Sequence, residues 1–344
     1  MWRVARFAFG DRRGVKWGMA RLRNLVDEAL DATVAAGYSR IGYEIRSRSG
    51  QWESLSSSAL EGRVVVITGA TSGLGLTTAR RVRSLGATLV LVGRDRERTE
   101  KVRRDLVDEI TSAATVDVVV ADMAELTQVR EAGRRISAMS RVDVLIHNAG
   151  ALSKQRLVNA AGLESTLAAQ VVGPFVMTTA LIDVLERDLG RVITVSSGGM
   201  YTAALADMSV ASPAPLRASA YDGTRQYATA KRMQVTLNEM WAARHPGVHF
   251  ASMHPGWADT PGVRTALPGF AKWTGPFLRS AEQGADTIVW LASTASSNLG
   301  LSGGFWCDRA RRPIHRLGST RSSDRPDVRQ ALWDWCVKTS MTGA

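Results

Sequence analysis

An apolar run at 63–69, RVVVITG, leads through Thr68-Gly69-Ala70-Thr71-Ser72-Gly73-Leu74-Gly75 into a helix-length segment at 74–85. Glycines placed after a strand and opening a helix form the pattern of a dinucleotide-phosphate cradle. Gly69 permits a sharp exit from the strand. Gly73 lets backbone approach a pyrophosphate, and Gly75 lets the helix pack closely on the sheet. The helix start offers free N–H groups and the positive end of its dipole. Thr71, Ser72 and Leu74 therefore join the glycines as candidate cofactor contacts. The spacing, Gly-x3-Gly-x-Gly, differs from the commoner Gly-x-Gly-x2-Gly.

The same alternation continues along the chain. Strand candidates fall at 63–69, 88–93, 116–121, 142–147, 191–196, 248–253 and 303–307. Helix-length segments lie near 74–85, 97–112, 125–138, 160–186, 224–244 and 280–292. Most strand runs are apolar throughout, as expected where both faces are covered. The pattern predicts an α/β fold, a Rossmann-type doubly wound parallel sheet of about seven strands. The expected organisation is a basic, helical N-terminal extension over 1–60, a dinucleotide-binding domain over 61–310, and a tail with a short helix over 311–344. An amphipathic helix is expected at 19–36, stopped by Gly37. Residues 198–223 and 257–279 lack periodicity and read as binding loops or lids.

Composition narrows the class. A hydrophobic fraction of 45% and a charged fraction of 22% suit an ordinary globular chain. No run approaches the roughly 18 apolar residues of a membrane-spanning helix, and the start lacks a signal-peptide core. Cys307 and Cys336 give neither a metal spacing nor a disulfide framework. A cytoplasmic chain with reduced thiols and no metal is expected. The net charge of +12 sits at the ends: residues 1–23 carry seven Arg/Lys against Asp11, and 309–344 carry eight against three Asp, leaving +1 for 24–308. Two readings of the start stand side by side. One is a solvated tail in an arginine-rich composition. The other is peripheral contact with an anionic membrane, since Trp2, Phe7, Phe9 and Trp17 interleave with the arginines. No recognition motif accompanies the charge, so nucleic acid is not an expected partner.

Carbonyl chemistry needs a donor where charge develops on oxygen, and an acid or base beside it. Tyr227 and Lys231 (YATAK) lie one helical turn apart on one face. A free phenol titrates near 10, and a neighbouring ammonium is expected to lower that value. The lysine can also hold a nicotinamide ribose. Ser197, at a strand end, is placed to donate to the substrate oxygen. Arg94, at the end of the second strand, favours the 2′-phosphate of NADP over NAD, although Asp95 follows it. Asp122 ends the third strand, where it either accepts from an adenine amino group or caps a turn.

Thr68-Gly69-x3-Gly73-x-Gly75, Asn148-Ala149-Gly150, Ser197, Tyr227-x3-Lys231 and Pro255-Gly256 together resemble the short-chain dehydrogenase/reductase family over about 61–310. The segments RVITVSSGGM, HFASMHPGWADTPGV and RSAEQGADT resemble one branch of it, near the retinol-dehydrogenase-like enzymes, which also carries an N-terminal extension. The resemblance implies that Tyr227 is the catalytic acid/base, Lys231 its activator and ribose ligand, and Ser197 the substrate-oxygen donor. It implies that Asn148, Ala149 and Gly150 steady the sheet beside the cofactor. Pro255 and Gly256 would turn the chain at the nicotinamide, with Thr260 reaching its carboxamide. Helices 160–186 and 224–244 would be homodimer faces, with a monomer the alternative for this branch.

Two positions depart from the family pattern. His147 stands where a second asparagine is usual, a structural position. Gln170 stands in the catalytic set where the family has an asparagine that orders a water between the lysine and solvent. Its longer amide leaves open whether that relay runs at full rate. The resulting reading is an NADP-dependent oxidoreductase acting on a small hydrophobic carbonyl or alcohol. Met200, Tyr201, Trp257, Phe270 and Trp273 motivate the hydrophobic substrate, with core or lid packing as their equal alternative. The alternative function, motivated by Gln170 and the basic extension, is a non-catalytic NADP-binding redox sensor or interaction module.

Overall fold

The structure is a computed structural model that describes residues 24–50, 52, 54–209, 218–266, 269 and 274–342. The basic start at 1–23, and with it the membrane-contact reading, lies outside the described residues, as do Phe270 and Trp273. The strands are β1 Val64–Thr68, β2 Thr88–Gly93, β3 Val116–Val120, β4 Val144–His147, β5 Arg191–Val195, β6 His249–Met253, β7 Gly304–Cys307 and β8 Ala310–Arg311. They form one sheet in the order β3-β2-β1-β4-β5-β6-β7-β8. Neighbours from β3 to β7 pair in parallel, and β8 adds a short antiparallel edge.

The apolar runs are strands because both faces are buried. Val66 and Val90 point into one core, while Val65, Ile67, Leu89 and Leu91 point into the other. Helices Gly73–Ser84, Arg96–Glu109 and Ala281–Ser293 cover the second face. Helices Leu126–Ser137, Gly173–Arg187 and Gly223–Arg244 cover the first. Strand order reverses between β1 and β4, so their carboxyl ends open the crevice where such sheets take ligands.

Three segments differ from the sequence expectation. Segment 160–186 is not one helix. A short turn, Ser165–Leu167, leads into a π-helical turn, Ala168–Val172, before helix Gly173–Arg187 begins. The chain is pressed here against the Met123 carbonyl, whose oxygen would lie 2.2 Å from a Cβ on Gly173. Taken together, Ser165–Arg187 is long and apolar enough to cross a membrane, contrary to the expectation of no such run, yet most of it is buried inside the protein.

Gly37 does not end the extension helix. A helix over 24–32 breaks at Thr33, and helices Val34–Tyr38 and Arg40–Ser49 follow. Gly37 lies inside the first of these because a Cβ would meet the Leu30 oxygen at 2.2 Å. Close approach, not termination, is what needs glycine there.

The C-terminal helix, Pro326–Ser340, is 15 residues long rather than short. It places Val328, Leu332 and Cys336, one turn apart, in the main core. Trp333 lies 5.0 Å from the Phe175 ring and 4.8 Å from the Trp241 ring, with the Arg244 guanidinium over it. Part of the surface of helices Gly173–Arg187 and Gly223–Arg244, the expected dimer faces, is thus covered by the chain's own end. Cys307 and Cys336 are free and buried.

Candidate active site

Parallel pairing brings the ends of β1 to β4 to one edge, with Thr68 opposite Val92, Gly93 opposite Val120 and Ile67 opposite Ile146. Gly69 leaves β1 with φ +68°, and a Cβ there would lie 2.8 Å from Ala149 Cα. A Cβ on Gly75 would lie 2.3 Å from the Gly69 oxygen and 2.4 Å from Asn148 Nδ2. Backbone packing itself demands glycine at both positions. Gly73, with φ +52°, faces Thr260. Asn148 ties the turn down: Nδ2 donates to the carbonyls of Thr68 at 3.1 Å and Gly69 at 3.0 Å. The N–H groups of Asn148 and Ala149 both donate to Thr68 Oγ1 at 3.1 Å. Thr71 adjoins Gly93, Ser72 occupies the cap position of helix Gly73–Ser84, and Leu74 and Pro255 both lie against Gly284.

Arg94 is exposed just past β2. Its acidic neighbour Asp95 is engaged as a helix cap, accepting from Arg98 N–H at 2.9 Å. Asp122 Oδ1 accepts from Ala124 N–H at 2.9 Å. Of its two readings, the turn cap is the one displayed.

Tyr227 and Lys231 lie on helix Gly223–Arg244, which Asp222 caps by accepting from Thr224 and Arg225. The end of β5 is stitched to this helix at the pair. Lys231 Nζ donates to the Val195 carbonyl at 2.8 Å, and Ser196 Oγ donates to the Lys231 carbonyl at 3.0 Å. The Ser197 hydroxyl neighbours the Tyr227 phenol and pulls its pKa down. Lys231 Nζ stands 5.2 Å from the centre of the Tyr227 ring. Ser197, Tyr227 and Lys231 are therefore one cluster. Burial pushes the phenol up to about 12 against the downward pull of the nearby Ser197 hydroxyl, and pushes the Lys231 ammonium down to about 7. The expected lowering of the phenol by Lys231 is not what sets its proton affinity here; desolvation is.

Gln170 lies on the π-helical turn and is fully buried. Its Nε2 donates to the Ala151 carbonyl at 2.8 Å, and its own carbonyl accepts from Gln234 Nε2 at 2.7 Å. Its amide also lies 3.0 Å from where a Cβ on Gly150 would stand, so it backs the Asn148–Ala151 turn. Behind it is a cavity of about 30 Å³, lined by His147, Gln170, Thr178, Thr194, Gln234 and Asn238 together with Val171, Pro174, Phe175, Val192, Leu237, Trp241 and Phe250. A space of that size has room for about one or two waters, although most of its lining is apolar. His147 Nε2 bonds Thr178 Oγ1 at 2.8 Å, and burial pushes its pKa down to about 3, so it is a neutral structural imidazole.

The far end of the site rests on residues that local pattern did not reveal. Arg279 Nη1 donates to the Pro255 carbonyl at 3.3 Å and to Asp308 Oδ1 at 2.6 Å, while Nη2 donates to Asp308 Oδ2 at 2.9 Å. Gly256, with φ +73°, lies against the guanidinium, whose Cζ would be 2.4 Å from a Cβ there. Met200 and Tyr201 are buried with Tyr38 and Phe305, and Tyr201 donates to the Pro313 carbonyl at 2.7 Å. Those two side chains are packing; Trp257 is only partly buried.

A sheet that reverses at β1/β4, a glycine turn at the switch and a Ser–Tyr–Lys cluster beside it define a class. The short chain dehydrogenase model matches residues 63–268, and the chain belongs to the short-chain dehydrogenase/reductase family of NAD(P)-dependent oxidoreductases. It is similar to dehydrogenase/reductase SDR family member 12 of Bos taurus, 39% identical over 86% of this chain and 91% of that one. The Homo sapiens protein of the same name is also 39% identical, over 83% and 89%. The fold is similar to that of a 3-oxoacyl (acyl-carrier-protein) reductase from Agrobacterium tumefaciens C58 with NADP bound. The TM-score is 0.57 at 23% identity, covering 72% of this chain and 92% of that one.

Proposed function

We propose that the protein transfers hydride between NADP(H) and a hydrophobic carbonyl or alcohol, with Tyr227 as the acid/base. The observation that carries this reading is the Ser197–Tyr227–Lys231 cluster beside the glycine turn. The residues present fit a dinucleotide, because the Gly69 and Gly75 turn is closed to side chains yet opens a helix N-terminus. When bound, the nicotinamide supplies or accepts the hydride. The glycine turn, with Thr71, Ser72 and Leu74, would hold the pyrophosphate. Arg94 would meet the 2′-phosphate, and Asp122 would lie at the adenine. Asn148, Ala149, Gly150, Pro255, Gly256 and Thr260 would frame the nicotinamide half.

Ser197 would hold the substrate oxygen. Tyr227, protonated throughout the neutral range with its pKa near 12, would give that oxygen a proton in reduction. Lys231 would stabilise the resulting phenolate and hold the ribose. Gln170 would steady the turn that positions them. Replacing Arg94 by serine should weaken NADPH binding by about 10-fold or more, since a charge-assisted bond is worth about 1.5–3 kcal/mol. NADH binding should not change. Equal loss for both dinucleotides would remove Arg94 as the discriminating group.

Lys231 is half-charged near pH 7 in the free protein. Its charged form dominates below that pH and is lost above it. The kcat/KM for NADPH in carbonyl reduction, which reports the free enzyme, should therefore be full below pH 7 and fall as pH rises. A flat profile between about pH 6 and 9 would separate Lys231 from the proton step. One observation favours the non-catalytic reading: the Gln170 main-chain carbonyl already accepts from Gln234 Nε2, leaving a single lone pair for a relay water. NADPH binding without turnover on any carbonyl would support it.

A further inference from the structure

The N-terminal extension turns a buried corner at Gly37-Tyr38-Ser39, and all three carbonyls are spent on the nicotinamide end of the site. The Gly37 carbonyl accepts from Arg46 Nη1 at 2.7 Å and Arg279 Nη2 at 3.0 Å. The Tyr38 carbonyl accepts from Trp257 N–H at 2.8 Å, and the Ser39 carbonyl from Arg279 Nε at 3.2 Å. Arg279 carries the Pro255 carbonyl and the face of Gly256. Its backbone also pairs with the same loop, donating to the Trp257 carbonyl at 2.8 Å and accepting from Asp259 N–H at 2.9 Å. Asp308 closes the assembly between Arg46 and Arg279.

The Tyr38 ring does the same on the substrate side. It stands edge-on to His254 at 4.2 Å and to Trp257 at 6.5 Å. Its Cε2 would lie 3.2 Å from a Cβ on Gly198, the residue after Ser197. One ring thus touches both the Ser197 turn and the Pro255–Thr260 segment. Its hydroxyl is buried without a hydrogen-bond partner among the described residues, so the ring's shape is what it contributes.

We propose that Tyr38 is a positioning residue for the nicotinamide half of the dinucleotide, and that the extension forms the back wall of that end of the site. The proposal rests on the NADP reading above. It assigns to residues outside the 63–268 family match a part in the site. Displacements of about 1 Å at a reacting centre cost up to about 10²-fold in rate, so a wall fixing two loops at once has leverage.

The test compares the full chain with Tyr38→Ala, Tyr38→Leu and Tyr38→Phe, titrated with NADPH and with 2′,5′-ADP, which carries only the adenosine half. Tyr38→Ala should weaken NADPH by about 10-fold or more, leaving 2′,5′-ADP within about twofold, and Tyr38→Phe should restore wild-type NADPH affinity. Tyr38→Leu, which keeps apolar volume but not the ring, should behave like Tyr38→Ala and serves if that variant does not fold. Unchanged NADPH affinity in the ringless variants, or equal losses for both ligands, would overturn the proposal. A wild-type chain that binds neither ligand would instead remove the NADP reading beneath it.

Discussion

The Tyr227→Phe variant should lose carbonyl-dependent NADPH oxidation by about 10²-fold or more while binding NADPH as the parent does. The substitution keeps the ring that lies 5.2 Å from Lys231 Nζ and removes only the phenolic oxygen. The helix stays tied to β5 by the Lys231–Val195 and Ser196–Lys231 bonds, neither of which involves that oxygen. A loss of turnover therefore reports the proton, not the packing. Stopped-flow absorbance of NADPH gives turnover, and nicotinamide fluorescence gives binding on the same sample. Turnover within about threefold of the parent would show that another group supplies the proton, since a positioned acid contributes at least about 10².

Asp308→Ala should destabilise the fold by about 3 kcal/mol or more, the cost of stranding buried charge. Arg46 and Arg279 have side chains only 5% and 1% exposed; Asp308 pairs with both, and Arg46 pairs with Asp27 as well. Those guanidiniums hold the Asp308 carboxyl below the usual carboxylate range, against the upward push of burial. A carboxylate whose folded pKa is depressed contributes fully above its unfolded value of about 4. The contribution is lost as pH falls through the lower folded value. The stability difference between parent and variant should thus persist at neutral pH and shrink only in strong acid. Urea midpoints at neutral and acid pH measure both parts. The exposed Arg264–Asp259 pair is the control, and removing it should cost about 1 kcal/mol at most. Equal costs at the two sites would contradict the assigned role of Asp308.

The sheet was legible because its information is local. A strand buried on both faces must be apolar through its middle, and β1, β2 and β4 carry polar side chains only at an end. The Gly69 and Gly75 requirement was equally local, since a close backbone approach leaves glycine no substitute. The Ser197–Tyr227–Lys231 cluster was read from residue types in order, and the structure brings the three together. What the sequence concealed is long-range. Arg46, Arg279 and Asp308 look like surface charges, and only the 262-residue separation bridged by the Arg46–Asp308 bond makes them a buried unit. Tyr38 lay inside a segment set apart as an extension, so nothing nearby linked it to Ser197. The π-helical turn at Ala168–Val172 ends at Gly173, which lies against the Met123 carbonyl, a partner far off in sequence. The C-terminal helix was within reach: Val328, Leu332 and Cys336 recur at four-residue spacing, a buried stripe that the tail's charge obscured.

Hydride transfer from NADPH to a carbonyl is followed with deuterium placed at the transferring nicotinamide carbon. The purified full chain is incubated with a panel of apolar aldehydes and ketones, and the products are read by mass spectrometry. The expected product is an alcohol carrying deuterium on its carbinol carbon, formed by the parent and not by Tyr227→Phe. NADPH binding with no deuterium transferred to any carbonyl would contradict hydride transfer and leave a dinucleotide-binding module in its place.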